Sequence, residues 1–212
     1  ERDIVLGDNG SVTFEEDGNI QQATTTDADI GGSDIISTGN GDDIVIGGTA
    51  ADTIDAGTDA SGDNEVDIVL GDSGTATFDS QGRLDTITST ATNIGGNDRI
   101  DTGGGRDIVI GGTASDTINT ESGDDIVLGD SGSAEFNTDL NTNVDPSHYD
   151  ILRKITTLTP DIGDDDTIVT DEGADIVIGG AANDTITAYL NNEAERDIVL
   201  GDNGSVTFEE DG

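Results

Sequence analysis

A nine-residue unit recurs along almost the whole chain, and few folds are open to a sequence with that period. It reads, loosely, Gly-Gly-x-Gly-x-Asp-x-U-x, where U is a large apolar residue. The cleanest run spans 93–137, five units end to end: 93–101, 102–110, 111–119, 120–128 and 129–137. In the first four the sixth residue is Asp98, Asp107, Asp116 and Asp125, and the eighth is Ile100, Val109, Ile118 and Val127. The glycine-rich half has to turn sharply and repeatedly, which suits residues free to take positive φ. The x-U-x half is a very short strand that points U inward and its neighbours outward. With two nonapeptides per coil, the expected fold is all-β, a parallel β-roll or β-solenoid.

Longer repeats sit on top of the short one. Residues 1–18 recur without change as 195–212, a superperiod of 194 residues, as if the chain were cut from a tandem array. Asp-Ile-Val-Leu-Gly-Asp begins at Asp3, Asp67, Asp125 and Asp197, and Asp-Ile-Val-Ile-Gly-Gly at Asp43, Asp107 and Asp175. Each closing unit carries Phe in its apolar slot (Phe14, Phe78, Phe136, Phe208) and Val12, Ala76, Ala134 or Val206 in its Asp slot. Those units are expected to lack one carboxylate, with Asp8, Asp72, Asp130 and Asp202 nearby. The resulting division is the end of a module at 1–15, module one at 16–79, module two at 80–137, module three at 138–209, and the start of the next repeat at 210–212. Linkers 16–28 and 80–92 read as strand, tight turn, strand, with Asp17-Gly18 and Gln81-Gly82 at the turns. The third, 138–160, looks like an enlarged version. If each linker adds a ladder strand, a module has three coils and a period nine, spanning roughly 43 Å.

Charge decides what such a chain can bind. There are 47 Asp and Glu against 7 Lys and Arg, a net charge of −40, with 3% aromatic residues, one His and no Cys. Nucleic-acid phosphates call for the opposite sign. No apolar run is long enough to span a membrane as a helix. Zinc would want His or Cys. Such acidity suggests disorder in an ordinary sequence, but a disordered tract has no reason to place an apolar residue every ninth position. The expectation is conditional: marginal without cations, folded with them.

Calcium suits the repeat because it takes six to eight oxygens in flexible geometry, whereas magnesium demands a tighter octahedron. The candidate ligands are the sixth-slot carboxylates Asp3, Asp34, Asp43, Asp52, Asp67, Asp98, Asp107, Asp116, Asp125, Asp166, Asp175, Asp184 and Asp197. Units two apart stack, pairing Asp34 with Asp52, Asp43 with Asp67, Asp98 with Asp116, Asp107 with Asp125, Asp166 with Asp184, and Asp175 with Asp197. Without a cation, carboxylates stacked about 5 Å apart repel by roughly 3 kcal/mol per pair at an effective dielectric near 20. Metal binding is therefore expected to be coupled to folding.

Outward positions alternate in character. They are polar in units such as Thr53/Asp55 and Thr117/Asn119, but apolar at Ile44/Ile46, Ile68/Leu70, Ile108/Ile110, Ile126/Leu128, Ile176/Ile178 and Ile198/Leu200. One sheet is thus expected to be apolar on both faces and to need a cover. The linker hairpins are the nearer candidates, through Ile20, Leu84, Ile87, Ile151, Ile155 and Leu158; another copy of the chain is the alternative.

The units Gly111-Gly112-Thr113-Ala114-Ser115-Asp116-Thr117-Ile118-Asn119 and Thr38-Gly39-Asn40-Gly41-Asp42-Asp43-Ile44-Val45-Ile46 resemble RTX (hemolysin-type calcium-binding) repeats. The resemblance implies a parallel β-roll, type I secretion in an unfolded state, and folding outside the cell. It also implies ligation by the sixth-slot Asp together with carbonyls of residues such as Gly39, Gly41, Gly47 and Gly112. Departures are the loss of the fourth-slot Gly at Ala50, Ala114 and Ala182, the hairpin linkers and the long superperiod. These look more like giant extracellular adhesins and fibre proteins than the short block ending a toxin or protease.

The leading functional expectation is a calcium-binding structural segment of a long secreted adhesin or extracellular filament, self-associating with adjacent or tandem copies. The alternative is a folding and secretion module attached to an enzyme or toxin. Direct binding of sugar or ice has weaker support, because Thr53, Thr117 and Thr185 lie one module apart. Catalysis is not expected: His148 stands in a loop after Pro146-Ser147, no Gly-x-Ser-x-Gly elbow occurs, and a glycosidase-like carboxylate pair would lack aromatic walls.

Overall fold

The computed structural model describes residues 2–57, 65–137, 151–188 and 196–208. All of its regular structure is strand, in three sheets. The first is parallel and seven-stranded: β1 (Ile4–Leu6), β5 (Ile44–Gly48), β7 (Ile68–Asp72), β11 (Ile108–Gly112), β13 (Ile126–Asp130), β17 (Ile176–Gly180) and β19 (Ile198–Asp202) in spatial order. The second, also parallel, orders β4 (Ile35–Ser37), β6 (Thr53–Asp55), β10 (Arg99–Asp101), β12 (Thr117–Glu121), β16 (Thr167–Thr170) and β18 (Thr185–Ala188). The third runs β2 (Gly10–Phe14), β3 (Ile20–Thr25), β8 (Gly74–Phe78), β9 (Leu84–Ser89), β14 (Gly132–Asn137), β15 (Ile151–Thr157) and β20 (Ser205–Thr207), with every pairing antiparallel.

The first two sheets form the expected roll, and successive coils keep one register, Ile44 beside Ile68 and Ile108 beside Ile126. Inside it, Val45, Val69, Val109, Val127 and Val177 pack against Ile36, Ile54, Ile100, Ile118 and Ile168 in a core one side chain deep on each sheet. The first sheet is apolar on both faces, as its outward residues require. Ile44, Ile46, Ile68, Leu70, Ile108, Ile110, Ile126, Leu128 and Ile178 are buried against the third sheet.

The lid is built from the linkers and differs from expectation in three ways. First, the Phe-bearing closing units do not stay in the roll. The first three become the first strand of a hairpin whose second strand is the linker, and the fourth supplies the edge strand β20, so two coils remain per module and six per superperiod. The rise per period is then about 29 Å at the usual strand spacing. Second, Val12, Ala76, Ala134 and Val206 are not depleted metal positions. They form one inner rank with Ala23, Ile87 and Ile155 against the first sheet. Third, Ile20, Leu84, Ile87 and Ile155 are buried as expected, but Ile151 and Leu158 stand 42% and 43% exposed, and Leu152 is buried instead. A bulge explains the substitution. Phe14 pairs with Ile20, Phe78 with Leu84 and Phe136 with Leu152, leaving Gln21, Asp85 and Arg153 as the extra residue in each linker strand. The inward residues are therefore spaced i, i+3 rather than i, i+2.

The two short hairpin turns follow their sequences. Gly18 and Gly82 take φ of 93° and 76° and donate their N–H groups to the Glu15 and Asp79 carbonyls. Pro146, His148 and the 210–212 boundary lie outside the described residues.

Candidate metal centre

At each edge of the roll the turns stack and the sixth-slot Asp residues line up in a column. Along one edge the backbone N–H of Asp34 donates to Oδ1 of Asp52, and the same bond runs from Asp52 to Asp98, Asp98 to Asp116, Asp116 to Asp166 and Asp166 to Asp184, at 2.7–3.0 Å. Along the other edge it runs from Asp3 through Asp43, Asp67, Asp107, Asp125 and Asp175 to Asp197, at 2.6–3.2 Å. All six pairs of carboxylates expected from the sequence are therefore neighbours, and the columns also cross the module boundaries.

One oxygen of each carboxylate after the first in its column is used up in this way. In the first column the other, Oδ2 of Asp34, Asp52, Asp98, Asp116, Asp166 and Asp184, is buried without a hydrogen-bond donor. A buried charged oxygen left unmatched is costly, and so regular a series of them asks for a common partner. Their surroundings are oxygen-rich. A β-carbon added to Gly47 would run into the Gly71 carbonyl and the Asp52 carboxylate, and one on Gly111 into the Gly129 carbonyl and Asp116. The same holds at Gly71 with Asp98 and Gly111, and at Gly129 with Asp166 and Gly179. Glycine is needed here because a side chain would fill the groove.

Among the described residues no three acidic or imidazole side chains converge on one point. A cation seated in these grooves would have to combine carboxylate oxygens with backbone carbonyls, which fits the oxygen-only, high-coordination habit of calcium. Of the glycines expected to contribute carbonyls, Gly47 directs its oxygen into the first column. Gly39 and Gly41 form turns of the second column with φ of 90° and 144°, and Gly112, with φ of 131°, is packed on Asp72.

The electrostatics state the same problem. Burial pushes the carboxyl of Asp52 up to about 6, Asp98 to about 7, Asp166 to about 8, Asp67 to about 8 and Asp125 to about 9, with neighbouring carboxylates adding to the rise. Asp116 is raised well above the usual range, and Asp175 and Asp184 are raised, for the same first reason. At neutral pH and without a cation, the columns must hold protons or bear uncompensated charge.

A second group of carboxylates was legible only as lying nearby. Where a hairpin leaves the roll, the turn is split between two chain segments, and the second-slot Asp closes the gap. Asp72 accepts N–H groups from Gly96 at 2.9 Å, in the returning segment of its own turn, and from Thr113 in the next coil. Asp8 does the same with Gly32 and Thr49, and Asp130 reaches Ala181. These residues act as splints across the break. Their sequence signal is the replacement of the second-slot Gly by Asp wherever the sixth slot has lost its own.

A family model for the RTX calcium-binding nonapeptide repeat matches four stretches, residues 30–61, 95–109, 101–133 and 162–192. No curated protein and no solved structure matches the chain. No helix among the described residues is long and apolar enough to cross a membrane.

Proposed function

We propose, for a chain that carries RTX calcium-binding nonapeptide repeats, the role of a non-catalytic, calcium-stiffened segment of a long secreted adhesin or extracellular filament. The ligands are the sixth-slot Asp of both columns with glycine carbonyls of the adjoining turns, many ions per chain. RTX repeats are typical of secreted bacterial proteins, and folding that waits for extracellular calcium suits a chain exported unfolded.

The observation that carries the structural reading is the identity of the two ends. β1 opens the first sheet and β19 closes it with the same Ile-Val-Leu sequence, each in the same register with its neighbour, Ile4 beside Ile44 and Ile198 beside Ile176. β2 and β20 stand likewise at the two ends of the hairpin sheet. Tandem periods can therefore share these strands and continue all three sheets without a seam, the nearest-neighbour stacking that solenoids use.

A chain of two tandem periods, compared with one period by small-angle X-ray scattering at millimolar calcium, tests this. The expected result is a rod of unchanged cross-section lengthened by about 29 Å, six strand spacings. Two bodies joined flexibly would sink the filament reading while leaving calcium binding intact.

A further inference from the structure

The two columns are chemically unlike, and the difference lies in the first slot of the unit. In the first-column units whose turn is intact that slot is glycine (Gly47, Gly111, Gly179), and in those that follow a hairpin it is Asp29, Asn93 or Asp161. In the second, the regular units carry threonine: Thr38, Thr102, Thr120 and Thr170. The stretched units 56–70 and 188–200 carry Ala56 and Ala188 in the same place. Threonine thus accompanies the second-column turns of regular length, and each such Thr precedes its sixth-slot Asp by five residues.

Three of these threonines, on three successive coils, have hydroxyls with nowhere to go. Thr102, Thr120 and Thr170 are 0% exposed, and their Oγ1 atoms have no hydrogen-bond partner. They lie at the ends of strands whose inward residues Ile100, Ile118 and Ile168 form the roll's core: Thr102 follows β10, Thr120 is next to last in β12 and Thr170 closes β16. The Thr120 hydroxyl neighbours the Asp125 carboxylate, and that of Thr170 the Asp175 carboxylate. Neither sits in hydrogen-bonding geometry, and Oδ2 of Asp125 and of Asp175 is itself buried and unmatched. A valine would fill the same volume without stranding an oxygen, so a packing role does not account for threonine here.

We propose that Thr102, Thr120 and Thr170 are side-chain cation ligands, each adding a neutral hydroxyl oxygen to the site of Asp107, Asp125 or Asp175. The second column then holds a class of site distinct from the carboxylate-and-carbonyl sites of the first. This rests on the calcium reading of the columns and adds a ligand to it. A hydroxyl supplies an oxygen without adding to the repulsion between stacked carboxylates, which suits a chain already carrying −40.

Calorimetric titration of the whole chain with calcium chloride, for the wild type, Thr120→Val and Thr120→Ser, tests the proposal. Thr120→Val is expected to weaken one site by at least about threefold, as loss of an oxygen ligand does, and Thr120→Ser to keep wild-type affinity. Urea unfolding at saturating calcium and at pH 5 in chelator separates ligation from packing: the valine variant is expected to lose stability only with calcium present. Unchanged calcium affinity in Thr120→Val, or an equal stability loss with and without calcium, would overturn the proposal. A wild type that binds no calcium would instead overturn the reading beneath it.

Discussion

Two stretches written in the same nine-residue frame meet opposite fates. Gly47-Gly48-Thr49-Ala50-Ala51-Asp52-Thr53-Ile54-Asp55 turns and enters the roll, whereas Gly71-Asp72-Ser73-Gly74-Thr75-Ala76-Thr77-Phe78-Asp79 leaves it and becomes a hairpin strand. The decisive slots are the sixth and eighth. Asp52 can be buried only in a stacked column where its neighbours and a cation meet its oxygens. Ala76 asks for nothing and is fully buried against the first sheet. Ile54 fits a core shared with valines, while Phe78 is too large for it and pairs with Leu84 at the bulge instead. The roll is therefore held by charge compensation and the hairpin layer by apolar burial.

The largest expected effect is removal of the cation. In excess chelator at pH 7.5 the roll should lose its strand signal in circular dichroism, because buried carboxylate oxygens without donors recur in both columns, as at Asp52, Asp98 and Asp116 in the first and Asp43, Asp125 and Asp175 in the second. The hairpin layer should go with it, since its inner rank is covered only by the roll. A strand spectrum that survives chelation unchanged would show that the two layers do not differ in what holds them.

Exchanging the decisive residue comes next. Ala76→Asp places a carboxylate in the apolar layer between Ala23 and Ile87. It should lower stability by at least about 3 kcal/mol in urea titration at saturating calcium, the usual penalty for an unpaired buried charge. The same change at outward-facing Thr75 should stay within about 0.5 kcal/mol. If Ala76→Asp is tolerated, the sixth slot does not separate the two fates.

Protons can stand in for the cation, and the sign is fixed by the raised carboxyls. The folded chain holds protons on Asp52, Asp98, Asp166 and Asp125 up to about 6, 7, 8 and 9, whereas the unfolded chain releases them near 4. Stability of the metal-free fold is therefore favoured at acid pH and falls as pH rises from about 4 through about 9. Chelated chain at pH 5 should regain strand signal that it lacks at pH 7.5. No recovery, with the chain still soluble, would mean that repulsion in the columns is not what opposes folding.

Much of this was written in the period itself. The Asp and apolar slots predict the parallel roll, the stacked pairs and the doubly apolar sheet, because each follows from a strand alternating faces within a fixed coil. The fate of the Phe-bearing units was not legible in the same way. A frame count alone treats Phe78 as another inward residue, and only the absence of Asp at position 76 marks the unit as unable to enter a column. The bulge that buries Leu152 and exposes Ile151 was hidden for a similar reason, since an extra residue resets the face of everything after it. The splints Asp8, Asp72 and Asp130 belong to turns made of two distant segments, which no local spacing reveals.

The smallest effect separates the turns of the two columns. Intact first-column turns place Ala50, Ala114 and Ala182 at φ of 72°, 82° and 71°, a left-handed conformation, whereas second-column turns carry glycine in that slot, Gly41, Gly105, Gly123 and Gly173, at φ of 142–153°. Left-handed alanine is strained by roughly 1–2 kcal/mol, and glycine recovers that strain less about 0.5–1 kcal/mol of added chain entropy. Ala114→Gly should accordingly raise stability by about 0.5–1 kcal/mol in urea titration at saturating calcium. The reverse exchange, Gly105→Ala, should lower it by about 2 kcal/mol or more, because the new β-carbon would run into the Glu65 carbonyl of the coil beside it. Opposite signs at the two edges would show that the fourth slot answers to backbone geometry in one column and to close stacking in the other. A loss at both would mean that the alanines are favoured by contacts that outweigh their strain.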